Sequence, residues 1–325
     1  MKQGGILLST LFLAITIFML VSCKEALITD YPPLKDGSEI PADLDSVRLN
    51  YDSFFQVKYG LDYPFLKIKN NFYFFETYFL QLFKYNLIDS TWQSNFSYST
   101  NEYISTNKYY FADGDSVVMV SYYESSKSLD LYSINSLTLT LRLLKKNLVL
   151  GESLSTGFQS TFLWDKDRLI ILLHPANKIL TVDMKNFTIK TTSDSHLSDI
   201  RHDASFNSST ITGTVGRDIY LYYYSYKKMF RFNLDTYNFT EIPVPKFLSI
   251  RMNNIWDRGA VVSNYFCFWP SDSYFTLCYD VIRNIWVKGG QNPFYQKWYM
   301  PLNYTSEENS SYYQDNSIMK RISVK

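Results

Sequence analysis

The side chains best equipped for chemistry are few, because this 325-residue chain holds three histidines and three cysteines. His196 and His202 fall within Thr191 to Ser209, beside Asp194, Asp199 and Asp203, the one cluster of His and Asp in the sequence. Imidazole and carboxylate donors gathered this way suit a metal ion or a polar ligand. A long polar loop accounts for the same residues, and no metal is expected. His174 precedes Pro175 and reads as a turn residue on the same side. Asp113 with Asp115, and Asp165 with Asp167, have the spacing of paired acid/base or metal-binding carboxylates. Both pairs stand where a polar turn introduces an apolar strand, so turn chemistry explains them. Cys267 and Cys278 flank a turn around Asp272-Ser273 and face each other if that turn has two residues. A disulfide and a pair of buried thiols both remain open. No neighbouring histidine or basic residue activates either sulfur as a nucleophile.

Local catalytic motifs are absent: there is no Gly-x-Ser-x-Gly, phosphate loop, HExxH or Cys-x-x-Cys. Two carboxylates on separate strands, as in a glycosidase, leave no local signature, so a hydrolase stays open as an alternative. Aromatic residues make up 18% of the chain, more than a stacking site needs, so most belong to the core. Tyr78, Tyr123, Tyr224, Tyr226 and Trp269 are the ones expected on a ligand face with the three histidines. There they offer a platform for sugar rings or a hot spot for a protein partner.

The elements that must position these residues are short strands. From Asp45 onward the apolar runs are rich in Tyr, Phe, Ile, Val and Leu and bounded by Asn, Asp, Gly or Ser. Leu137 to Leu143 alternates with period two, and no window carries a clear 3.6-residue stripe, so little or no helix is expected. A repeat organises the strands. Asn86, Ser133, Asp183, Asn233 and Asp280 recur at intervals of 47, 50, 50 and 47 residues. Six positions after them come Trp92, Leu139, Ile189, Phe239 and Trp286. A polar turn before an apolar strand keeps step with these anchors: Asn70-Asn71, Gly114-Asp115, Lys166-Asp167, Arg217-Asp218 and Ser263-Asn264. Each repeat holds four short strands, with the anchor bracing the third-to-fourth turn and the plus-six residue filling the gap between repeats.

In Tyr279-Asp280 followed by Trp286, and in its spacing near 50, the chain resembles kelch and galactose-oxidase-like β-propellers over roughly residues 62 to 290. The glycine pair that follows the second strand in that family is absent here. The resemblance implies an all-β propeller whose ligand face gathers the inter-blade and second-to-third strand loops. A copper site of the galactose-oxidase kind needs a cysteine-crosslinked tyrosine that no motif supplies, and no cofactor is expected. Residues 46 to 61 and 290 to 325 together make one further repeat, which predicts six four-stranded blades, with five or seven as alternatives. In the sixth, composite blade, Val47 to Lys58 joins strands near Trp298 to Asn303 and Ser317 to Val324.

The N-terminus resembles a bacterial lipoprotein signal. A basic start at Lys2, an apolar run from Ile6 to Leu20 and Leu20-Val21-Ser22-Cys23 imply removal of residues 1–22 and lipidation of Cys23. The run is shorter than a membrane-spanning helix. Lys24 leans toward the outer membrane, on its periplasmic or cell-surface side. Residues 23–45, with Pro32, Pro33 and Pro41 among polar residues, read as a tether, and 46–325 as the propeller. Losing Lys2 takes the net charge from +1 to 0, so no electrostatic footprint for nucleic acid exists. The expected function is a non-catalytic binding or interaction module for an envelope protein or a glycan. A glycan-cleaving hydrolase and a structural scaffold are the alternatives.

Overall fold

The computed structural model describes residues 44–57, 64–76, 81–95, 107–123, 125–151, 160–173, 177–197, 210–223, 227–252, 258–295, 304–307, 309–315 and 317–325. Among them the short aromatic and β-branched runs form β1 (Leu49–Gln56) and then five consecutive four-stranded antiparallel blades. Blade 1 is β2 (Phe65–Ile68), β3 (Asn71–Phe75), β4 (Leu82–Asn86) and β5 (Thr91–Asn95). Blade 2 is β6 (Asn107–Asp113), β7 (Ser116–Tyr123), β8 (Ser128–Ile134) and β9 (Leu141–Val149). Blade 3 is β10 (Ser160–Asp165), β11 (Arg168–Leu173), β12 (Lys178–Asp183) and β13 (Ile189–Ser193). Blade 4 is β14 (Thr210–Val215), β15 (Asp218–Tyr223), β16 (Lys228–Asn233) and β17 (Phe239–Ile242). Blade 5 is β18 (Arg258–Val262), β19 (Tyr265–Trp269), β20 (Phe275–Asp280) and β21 (Ile285–Gln291).

Blade 6 closes the ring from both ends of the chain. It is β22 (Tyr304–Glu307), β23 (Ser310–Asp315), β24 (Ile318–Val324) and then β1 as the outer strand, paired from Leu49↔Val324 to Gln56↔Ile318. The inner strand lies at Tyr304–Glu307, whereas Trp298 to Asn303 falls outside the described residues. The result is a six-bladed propeller in which the composite blade removes a free edge.

The core is divided among the blade interfaces. In β11 alternate side chains serve opposite neighbours: Leu169, Ile171 and Leu173 pack with blade 2, while Ile170 and Leu172 pack with blade 4. Period-two alternation combined with burial on both faces is why the second strands read as unbroken apolar runs. Close approach of the inner strands is set by Gly213 on β14, where an added Cβ would fall 2.2 Å from Val261 Cγ2 on β18.

The third-to-fourth strand turns are one motif built five times. Oδ1 of Asn86, Asn135, Asp183, Asn233 and Asp280 accepts the N–H two residues on, at 2.8 to 3.1 Å. Four residues after each anchor stands a left-handed residue, namely Ser90, Leu139, Phe187, Tyr237 and Asn284, with φ between 55° and 58°. In blade 2 the anchor is therefore Asn135 and not Ser133. Ser133 sits within β8 opposite Arg142, two residues too early to reach the turn. Leu139 is the left-handed residue, and the plus-six position belongs to Leu141. Trp92, Leu141, Ile189, Phe239 and Trp286 each pack in the cluster shared with the preceding blade. The first-to-second strand turns hold two residues each, and two of them, Lys69-Asn70 and Gly216-Arg217, lie one position before the places expected.

Helix is confined to a 3₁₀ turn at Ser195–Leu197 and to α1 (Lys246–Arg251) among the described residues. Leu197, Phe247, Leu248 and Met252 plug the ends of blade interfaces. Both pieces are too short to show a helical period in sequence.

Candidate functional site

Antiparallel strands put the first-to-second and third-to-fourth turns at one end of the ring, the turn face. The second-to-third loops and inter-blade connections fall at the other, the loop face. Tyr78, His174, His202, Tyr224 and Tyr226 of the expected ligand face lie outside the described residues, as does Cys23. Tyr123 ends β7 at the loop face, partly buried. His196 follows β13 there, its Nδ1 2.8 Å from Asp194 Oδ1 and its ring 6.3 Å from that of Phe239. No group of three or more His, Cys, Asp or Glu is placed to hold a metal among the described residues.

Trp269 is wholly buried and unavailable for stacking on a ligand. Its Nε1 donates to Tyr51 Oη at 3.0 Å, and its ring meets that of Phe294 edge-on at 5.8 Å. It ends β19, a second strand enclosed on both sides, and so serves the interface of blades 5 and 6. Cys267 and Cys278 are directly opposite across β19 and β20 and are joined in a buried disulfide. Gly289 makes room for it: a Cβ there would stand 2.8 Å from Cys278 Sγ.

Three of the four carboxylates singled out in sequence, Asp115, Asp165 and Asp167, are engaged at the turn face. Asp115 pairs with Lys69 at 2.6 Å and Asp167 with Lys185 at 2.6 Å, both exposed. Asp165 is buried at the end of β10 and held by Arg168 and by Arg217 of the next blade. Arg217 also grips Asp235 at 2.6 Å, and Arg168 Nη1 donates to Tyr237 Oη at 2.7 Å. The Arg217 guanidinium holds the Asp165 and Asp235 carboxyls below their ordinary range. Two arginines and two aspartates cancel, making this an inter-blade clamp rather than an acid/base pair.

A concavity of about 680 Å³ opens instead between blades 5 and 6. Its origin is a divergence of two strands. Val47 N donates to Lys288 O and Lys288 N donates to Asp45 O, so the chain runs parallel to β21 before crossing to β1. Beyond that point β21 bulges at Gly289-Gly290, since Leu277 faces Lys288 while Thr276 faces Gly290, and Gly290 has φ 81°. The strands part there, leaving a cleft lined by Arg48, Tyr51, Phe275, Lys288, Gln291 and Pro293, among others. Burial raises the Tyr51 phenol, so it stays a neutral hydrogen-bonding group.

The loop-face end of this cleft is braced. Buried Asn292 donates from Nδ2 to Pro270 O at 2.7 Å and to Ser273 O at 2.8 Å, and its Oδ1 accepts from Phe294 N at 2.9 Å. These bonds fix the loop carrying Tyr274 against the connection carrying Tyr295, whose rings meet edge-on at 5.7 Å. Both rings are partly exposed. Nothing in the local sequence singles out Arg48, Lys288, Gln291, Tyr274 or Tyr295. The available signal was Gly289-Gly290, a glycine pair in a fourth strand where the other repeats have none.

No family model matches the sequence, and no curated protein matches it in sequence. Among solved structures the fold is similar to that of YjhT, with TM-score 0.53 and 8% identity, covering 84% of this chain and 99% of that one. It is also similar to a protein of unknown function from Bacteroides thetaiotaomicron, with TM-score 0.50 and 7% identity, covering 85% of this chain and 76% of that one. A more distant match is PorZ, a surface component of the type-IX secretion system of Porphyromonas gingivalis, with TM-score 0.43 and 8% identity. It covers 81% of this chain and 36% of PorZ. The first two likenesses show a common fold and, at identities of 7–8%, nothing about ligand or activity.

Proposed function

We propose that this chain is a lipid-anchored binding propeller of the bacterial cell envelope, held through an acylated Cys23, that takes a short glycan in the cleft between blades 5 and 6 without cleaving it. The cleft carries the reading. Its volume lies within the range of small-ligand sites, and its walls combine the Phe275 ring with the neutral Tyr51 phenol, the Gln291 amide and two cations. Aromatic faces stack on sugar rings, and the polar groups meet hydroxyls. Arg48 and Lys288 favour a glycan bearing a carboxylate or other acidic group. The bracing by Asn292 holds these walls before a ligand arrives, which limits the ordering cost of binding. The wider setting is a kelch-like repeat on an outer-membrane lipoprotein.

The test is a glycan array and a pull-down with the full chain in mild detergent, beside Arg48→Ala and Gln291→Ala. Both residues are exposed, so neither change should disturb folding. The expected result is retention of one class of acidic glycan, weakened about tenfold or more by either substitution, consistent with loss of a charge-assisted or neutral hydrogen bond. Wild-type protein that retains no glycan, or variants that bind as well as wild type, would overturn the assignment. Capture of an envelope protein without any glycan would favour the scaffold reading.

A further inference from the structure

The turn face is not uniform around the ring. Two residues after the anchor, each third-to-fourth turn projects one side chain from its tip. On blades 1, 2 and 5 that residue is Ile88, Leu137 or Ile282, 77%, 74% and 67% exposed, the three most exposed large apolar residues among those described. On blades 3 and 4 it is Lys185 or Asp235, each in an ion pair. Blade 6 has no such turn, because the chain enters and leaves there, with Lys325 N bonded to Arg48 O. Apolar tips thus occupy the arc of blades 5, 6, 1 and 2, and charged tips the arc of blades 3 and 4.

The tips are held rigidly. The N–H groups of Ile88, Leu137 and Ile282 donate to the anchor Oδ1 atoms at 2.8, 2.9 and 3.0 Å. The blade 2 tip is also gripped from blade 1, where Lys84 Nζ and Gln93 Nε2 donate to the carbonyls of Ser136 and Leu137 at 3.1 and 3.2 Å. Exposing an isoleucine on a pinned turn gains nothing in water, and single apolar points on separate blades do not form the contiguous packed patch a protein interface requires. A bilayer meets separated points at a common level.

We infer that the turn face of blades 5, 6, 1 and 2 rests on the lipid surface, with Ile88, Leu137 and Ile282 in its interfacial layer. The inference rests on the lipid-anchored reading above and adds an orientation to it. The described chain emerges on this same arc: Asp45 is tied to Arg283 of the blade 5 turn at 2.7 Å, and Cys23 lies 22 residues before it. On the arc Lys69 pairs with Asp115, and Arg283 stands between Asp45 and Asp280, so these groups leave no excess of positive charge. A rim with apolar tips and no excess of positive charge suits zwitterionic headgroups, and because those carry no net charge the contact is insensitive to salt. The loop face then points away from the membrane.

The experiment uses the full lipidated chain in phosphatidylcholine vesicles containing doxyl-labelled lipid, with an environment-sensitive fluorophore placed singly at I88C, L137C, I282C or K185C. Quenching at the first three sites about twofold or more above that at position 185, unchanged by salt, is the expected result. If the chain floats with the vesicles while all four labels are quenched alike or not at all, the orientation is wrong and the lipid anchor stands. If the chain does not float with the vesicles, both fail.

Discussion

At the scale of single residues, Asp165 shows how spacing misleads. Its interval to Asp167 suits catalysis, yet its carboxylate is buried between two arginines that neutralise it. Its folded-state acidity is strengthened by the Arg217 hydrogen bond, so the stability it contributes is present above the unfolded value, about 3.9, and is lost as pH falls through the lower folded value. Acid unfolding of wild type should therefore show little change between pH 7 and 5 and a steep loss below about pH 4. Asp165→Asn should cost about 2–3 kcal/mol at pH 7, because it strands part of the charge of two arginines that keep some contact with water, and should flatten the acid limb. Urea titrations across this pH range test it; an unchanged limb would remove the clamp. The place of this carboxylate beside a turn is legible from sequence, but its role in an inter-blade clamp is not, since Arg217 comes from another blade. Trp269 failed as a ligand-face residue for the same kind of reason: its neighbour Tyr51 lies 218 positions away and comes from the chain's other end.

At the scale of elements, the repeat was legible because its anchors are chemically constrained. A side-chain oxygen must sit at the strand end to accept the N–H two residues on, and only Asn, Asp and their like do so. Blade 2 reads two residues out of register because Ser133 on β8 and Leu139 in the following turn imitate the anchor and plus-six pattern. Asn135→Ala should destabilise the protein by about 1 kcal/mol in urea unfolding, whereas Ser133→Ala should stay within about 0.5 kcal/mol. The reverse order would restore the Ser133 register. Closure by β1 was visible as leftover length, while the exact partner of that strand required tertiary pairing. Deleting residues 44–57 should lower the melting temperature by about 10 °C or more, since removing a whole outer strand costs several kcal/mol at roughly 2–4 °C for each. A melting temperature that does not move would show that blade 6 closes without it.

At the scale of the whole molecule, six blades give two faces of different make. On five blades the turn face repeats one hydrogen-bonded motif whose tip residue is apolar on blades 1, 2 and 5 and charged on blades 3 and 4. The cleft between blades 5 and 6 arises where two chain segments stop running in parallel. Beyond the Gly289-Gly290 pair such a cleft has no linear signature, because its walls come from residues 46–51 and 275–293. On the proposed reading, this cleft holds an acidic glycan intact. The most direct measurement is equilibrium binding of the array-selected glycan to the full chain, followed by mass spectrometry of the recovered ligand, for wild type and Gln291→Ala. Intact glycan with about tenfold weaker binding to the variant is the predicted result; shortened glycan, or equal binding by both proteins, would contradict it.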